Sequence, residues 1–281
     1  MTLIPNTGLM EAAARRRNLP PLIAIAFLIV AVVAICAIFG AALAPYAPET
    51  QRLLVGDKPP SAAFWAGTDL LGRDVLSRVI FGSRTALIGP IVVAISGFAI
   101  ATLLGLLSGY LGGAVDSAIM RWVDFMYALP GPRVAIVVVG VIGGGCWIAV
   151  AVLIALNAAP DTRVVRSVVL EQRPRPYIDA ARALGISRWR ILFIHILPNV
   201  LPLVLAYIIL DFAFALVNLA GLSFLGLGVE PGTPDWGRML YENRNILFSN
   251  PVALLLPGVM IVLTTVSMNV IGDWLFEKFT R

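Results

Sequence analysis

Two ionisable side chains fall inside apolar stretches of this sequence: Arg133, just after Pro130-Gly131-Pro132, and Asp211, in the middle of a run from about 200 to 222. A charge at bilayer depth costs at least about 2.5 to 3.5 kcal/mol, so such groups pair with one another, snorkel, or border a polar pathway. Both readings stay open here, neutralisation and contact with a solute, and Asn218 on the same run is a third pathway candidate. Residue types exclude other chemistry. A phosphate-cradling loop needs a lysine followed by Ser or Thr, and the only lysines are Lys58, before Pro59, and Lys278, before Phe279. A lone histidine, His195, cannot supply a two-histidine zinc motif, and no G-x-S-x-G elbow occurs. Cys36 and Cys146 sit in or beside apolar stretches with no partner at ligand spacing. No catalytic residue, cofactor or metal is expected on this chain.

The elements that must position Arg133 and Asp211 are membrane helices. Of 281 residues, 59% are hydrophobic and 13% charged, against roughly 25% charged in soluble domains; the mean hydropathy is +0.90. The apolar residues run in long blocks instead of alternating, which favours a helical bundle over a barrel. The net charge of +5 comes from arginines beside apolar spans, so it speaks of orientation in a bilayer and not of nucleic acid. Arg15, Arg16 and Arg17 before the first run, with Ala42-Leu43-Ala44 after it, look like a secretory signal. Residues 22–44 would nevertheless extend about 34 Å, enough to cross a hydrocarbon core of roughly 30 Å, so a retained helix is expected.

Hydropathy gives further spans near 86–110, 134–156, 200–222 and 252–275. Five spans would leave residues 161–198 outside with Arg163, Arg166, Arg173, Arg175, Arg182, Arg188 and Arg190, against the positive-inside rule. A third helix from about Ser117 through Pro130 to Val141, a turn at Gly143-Gly144-Gly145 and a fourth helix from Cys146 bring the count to six. The expected fold is thus all-α and polytopic, with six transmembrane helices: a cytoplasmic tail at 1–20, then a membrane domain over 21–281. Within it lie external loops at 45–85 and 221–251, a cytoplasmic loop at 161–198, and both termini are cytoplasmic. Gly97, Ala101, Gly105, Gly109 and Gly113 form a stripe of small residues for close helix approach, more readily within the subunit than between subunits.

Residues 171–198 encode two short helices. Pro176 suits the first turn of one, Asp179 complements its positive end, and Gly185 suits the left-handed residue that closes it. Ser187 caps a second, expected to end before Pro198. Ala180 and Ala181 leave a smooth patch.

Asp179-Ala180-Ala181, Gly185 and Leu197-Pro198 resemble the cytoplasmic coupling loop of importer permeases in the ATP-binding cassette superfamily. Gly67-Thr68-Asp69, the run Leu71 to Arg78, Gly109 to Gly113, His195 to Asn199, Leu222 to Gly228, Trp236-Gly237 and Asn269 to Asp273 are similar to the second permease of its dipeptide, oligopeptide and nickel group. The likeness covers residues 65–275. Leu219, Arg133 and the tail after Phe276 depart from it.

The resemblance implies a permease subunit of an ATP-driven importer in the prokaryotic plasma membrane. It pairs with a second homologous permease, while partner ATPase subunits carry the ATP and Mg. The helix with Asp179, Ala180, Ala181 and Gly185 would dock on an ATPase subunit. An external solute-binding protein would face Pro231, Pro234 and Trp236, although an interfacial aromatic belt accounts for a tryptophan without function. A secondary transporter or channel is the alternative; no inverted repeat of broken helices supports it.

Overall fold

Prolines and glycines punctuate the apolar blocks, and the computed structural model, which describes residues 21–280, breaks its helices at several of them. The helices are α1 (Pro21–Leu43), α2 (Val75–Leu111), α3 (Gly113–Ala128), α4 (Gly131–Ile142), α5 (Cys146–Gln172), the short α6 (Pro176–Ala183), α7 (Arg188–Phe224), α8 (Trp236–Asn243) and α9 (Pro251–Thr280). Among the described residues no strand forms, only an isolated bridge between Thr68 and Asp74. Five helices, α1, α2, α5, α7 and α9, are long and apolar enough to cross a bilayer, and α3 with α4 makes a sixth if the pair is one bent span. The chain is an all-α polytopic membrane protein. The tail expected at 1–20 lies outside the described residues.

The third helix, expected to run through Pro130, is instead broken there, with α3 and α4 meeting at 83°. The cause is local. Leu129 precedes a proline and is extended at φ −87°, ψ 132°, Pro130 takes φ −73°, ψ 91°, and Pro132 sits in the first turn of α4, where a missing N–H does no harm. The turn at Gly143, Gly144 and Gly145 forms as expected, with φ of 111°, 79° and 113°.

Residues 161–172, expected to belong to a loop, are instead helical, because α5 continues to Gln172. Val165 and Val169 are buried against α2: a Cβ on Gly105 would meet Val165 at 2.7 Å, and one on Gly109 would meet Val169 at 2.8 Å. Gly105 and Gly109 of the small-residue stripe therefore serve contact within the subunit, whereas Gly113 lies past the end of α2 and meets no neighbour within 4 Å. Ser187 does cap a helix, accepting from the N–H of Arg190 at 3.4 Å, but that helix does not stop before Pro198. It runs on into α7. A proline inside a helix clashes with the carbonyl four residues back, here that of Ile194, and residues Ile191–Ile196 widen into a π-helix just where that carbonyl lies.

Three apolar clusters hold the bundle together. One packs Trp236 and Met239 of α8 against α1, α2, α7 and α9. A second joins Ile178 and Ala181 of α6 to Leu106, Val165, Ile191 and Ile196. The third seats Ala135 and Val139 of α4 on Leu153 and Leu219.

Candidate functional site

The polar groups at membrane depth gather where α2, α5 and α7 meet. Asn157 is buried on α5, and its side-chain amide donates to Oδ1 of Asp211 on α7 at 3.2 Å. Asp161, one turn further along α5, faces the same space: its Oδ2 and that of Asp211 each lie 3.9 Å from the point a Cβ on Gly97 would occupy. Among the described residues neither Oδ2 has a hydrogen-bond partner. Asn157 also lines a cavity of about 230 Å³ at the elbow of the bent span, with Tyr127, Leu129, Pro132 and Asn218. Asn218 thus belongs to the same wall as Asn157, its amide donating to the Phe214 carbonyl at 2.8 Å. Arg133 does not join them: it is exposed on α4 and, among the described residues, makes no ion pair with Asp211. The neutralisation considered for these two charges does not occur; Asp211 is instead met by Asn157 and faced by Asp161.

The segment after α5 is built around Ile178. That side chain is fully buried, and Ala181, on the same face one turn on, is 5% exposed, so both lock α6 onto α2, α5 and α7. The placement of Ala181 on a docking patch is therefore corrected, since its methyl packs inside its own chain. The outward face carries Tyr177, Asp179, Ala180 and Leu184, with Leu184 80% exposed. Asp179 pairs with Arg182 at 3.2 Å, a surface contact of little energetic weight. The helix closes in a Schellman motif: the N–H of Ile186 donates to the Ala181 carbonyl at 3.1 Å and that of Gly185 to Arg182 at 2.9 Å. Gly185 sits at φ 72°, the left-handed region its type was expected to fill. Leu197 and Pro198 lie on α7, directly after the π-helical turn.

At the opposite end of α2, a buried ion network ties the loop before α2 to α8. Arg73 donates to Asp69 at 2.6 Å and to Glu242 at 2.7 Å. Arg78, with no exposed surface, donates to Glu242 at 3.0 Å and to the Gly232 carbonyl at 3.1 Å. Arg238 reaches the other Glu242 oxygen at 3.1 Å. Burial works against the Glu242 charge, yet Arg78 and Arg73 outweigh it and hold the carboxyl below its ordinary range. Asp235 goes the other way, pushed up by burial despite accepting from the N–H groups of Arg238 and Gly237.

This network also corrects two partner-facing assignments. Trp236 is 1% exposed and donates its indole N–H to the Val79 carbonyl at 2.9 Å, and Pro234 is buried beside it. Of the three candidates only Pro231 is at the surface. The tryptophan is a keystone between α2 and α8, fitted against Gly82, where a Cβ would come within 2.8 Å of its ring.

Residues 101–281 match the family model described as the binding-protein-dependent transport system inner membrane component. The chain belongs to that family. A glutathione transport system permease protein of Pectobacterium atrosepticum is 38% identical over 83% of this chain and 78% of its own length. A dipeptide transport system permease protein of Haemophilus influenzae is 32% identical over 98% of this chain and 95% of its own. In fold, this inner membrane component matches a chain of the inward-facing MetNI methionine ABC transporter with a TM-score of 0.59 at 20% identity, over 73% of this chain and 98% of that one. It is a permease subunit of an ATP-binding cassette importer, embedded as a multi-pass protein.

Sequence reasoning missed Asp161, Asn157 and Glu242. Asp161 follows Pro160 in a segment that hydropathy leaves outside the membrane, and Glu242 is an ordinary surface type until Arg73 and Arg78 arrive from 169 and 164 residues away. The density of charged residues from Asp69 to Arg78 was the available signal.

Proposed function

We propose that this permease forms half of a translocation pathway for peptides or a related small solute, opposite a second homologous permease. Coupling would run through α6 to separate ATPase subunits that bind ATP and Mg. The permease names borne by relatives, glutathione and dipeptide, support the substrate class. Residues 161–198 and both termini are assigned to the cytoplasm on the strength of the arginine distribution, and the loop at 221–251 to the outside, where a solute-binding protein would reach Pro231.

One observation carries the coupling reading. A short helix with a solvent-facing side is pinned by Ile178 to three membrane helices at once. A push on Ala180 or Leu184 therefore moves α2, α5 and α7 together, instead of bending a loop. Asp211, Asn157 and Asn218 then line the route those helices open and close, and Arg133 lies on the outer limb of the bent span.

Sidedness and partnership are testable together. With Cys36 and Cys146 replaced by alanine, Leu184→Cys should react with a membrane-impermeant maleimide only from the cytoplasm, and Phe248→Cys, 98% exposed, only from outside. Leu184→Cys should also be protected when the ATPase subunits are present. Labelling of both from one side, or no protection, would overturn the assignment.

A further inference from the structure

Three arginines converge on a concavity beside the coupling helix. Arg173 ends α5, Arg182 ends α6 and Arg188 begins α7, and they line a cavity of about 410 Å³ with Tyr110, Ile186 and Ile191. The backbone explains the convergence. Gly112 leaves room for Arg173, whose Nη1 would lie 3.5 Å from a Cβ at that position, and the Schellman turn at Gly185 folds the chain back so that Arg182 and Arg188 line the same concavity. The Arg182 guanidinium also sits 5.6 Å from the Tyr110 ring centroid.

The carboxylates nearby are too few to satisfy this charge. Asp179 pairs with Arg182 on the solvent side, and Asp116, whose charge also feels Arg173, is engaged by two Arg166 nitrogens at 2.7 Å. Glu171 is taken by Arg175. Among the described residues Arg173 and Arg188 form no ion pair. The concave shape suits a compact group better than a flat protein surface, and guanidinium forks match phosphate oxygens in pairs. The same stretch of α7 has the composition of a membrane edge: Trp189, Phe193 and Ile194, next in sequence to Arg188 and Ile191, are exposed, and the Trp189 and Phe193 rings stack at 6.3 Å.

We propose that the pocket formed by Arg173, Arg182 and Arg188 binds a phosphate-bearing anion, either the headgroup of an acidic phospholipid or free phosphate. Occupancy would bridge the end of α5 to the start of α7 across the coupling helix and brace it. The proposal does not depend on which solute the permease carries.

The test uses the assembled importer. Wild type and Arg173→Gln/Arg188→Gln are placed in phosphatidylcholine nanodiscs, and two ligands are titrated separately: phosphatidylglycerol, its retention read by native mass spectrometry, and radiolabelled inorganic phosphate, read by equilibrium dialysis. Both positions are exposed, so the variant should assemble normally. Binding weakened at least about tenfold in the variant is expected, from two basic groups lost at a membrane surface. Recovery is expected in Arg173→Lys/Arg188→Lys. A difference in the first arm alone assigns the site to lipid, and one in the second alone to phosphate. Equal binding by wild type and variant in both arms overturns the proposal. So does a variant whose only defect is loss of the ATPase subunits, since the arginines would then be a protein contact.

Discussion

The side-chain amide of Asn157 donates to Oδ1 of Asp211 across the interface of α5 and α7, and leaves the second Asp211 oxygen facing Asp161 over Gly97. Asp211→Asn keeps a hydrogen-bonding partner for Asn157, while Asp211→Leu strands its amide. A buried unpaired group costs about 1 to 3 kcal/mol. The leucine variant should therefore lose thermal stability that the asparagine variant retains. If the pair borders the pathway, uptake should fall in both. Uptake equal to wild type in the asparagine variant would remove Asp211 from the pathway.

Glu242 is the common acceptor for Arg73, Arg78 and Arg238. Taking one partner from a buried ion pair costs on the order of 3 to 5 kcal/mol, and Glu242→Gln should come near the lower end because its side chain is 17% exposed. Its depressed pKa also sets a sign. The folded state holds the charged form more tightly than the unfolded chain, so the stability it contributes is present above the ordinary value of 4.5 and is lost as pH falls through the lower native value. Asp235, raised by burial, gains earlier in the descent, before pH falls to its ordinary value of 3.8, and offsets only the onset of the loss. Wild type should melt at lower temperature in acid, and Glu242→Gln should show a flatter dependence, measured by thermal shift in detergent.

Gly237 packs its α-carbon against α7, where an added Cβ would fall 2.2 Å from the Ala220 carbonyl oxygen. Gly237→Ala must push α8 off α7 and should abolish assembly. Trp236→Phe loses the bond to the Val79 carbonyl, about 1 to 3 kcal/mol, together with the ring volume packed against Gly82, and should still leave a folded protein. A stable Gly237→Ala complex with normal melting would contradict this packing.

Residue patterning exposed the class of the molecule and most of its punctuation. Glycine at 143 to 145 and at 185 marked real left-handed positions, because no other residue type adopts them cheaply. It failed where a residue's role is set by what arrives from elsewhere. Ala181 and Trp236 carry surface-compatible local signals, yet each is buried by helices distant in sequence. Pro198 misled for a different reason: a proline ends an α-helix, but a π-turn before it lets the helix continue. Asp161 was hidden because α5 extends beyond its apolar core, carried by Val165 and Val169 against the glycines of α2.

Coupling yields the sharpest prediction, because the neighbouring Ala180 and Ala181 of α6 separate its two faces. Ala180 points outward and Ala181 into the core. Ala180→Trp should leave the fold intact and wedge an ATPase subunit away. Ala181→Trp should instead overpack the cluster around Ile178 and destabilise the permease itself by about 1 to 3 kcal/mol. Gly185→Val meets no neighbour within 4 Å, so its cost is backbone strain alone at φ 72°, about 1 to 3 kcal/mol. Ala180→Trp/Gly185→Val should insert, pair with a second permease, and show no uptake with ATP hydrolysis that no longer responds to substrate. A secondary transporter or channel would keep its flux after these changes. Undiminished uptake by the double variant in the absence of ATP would therefore rule out coupling through this helix.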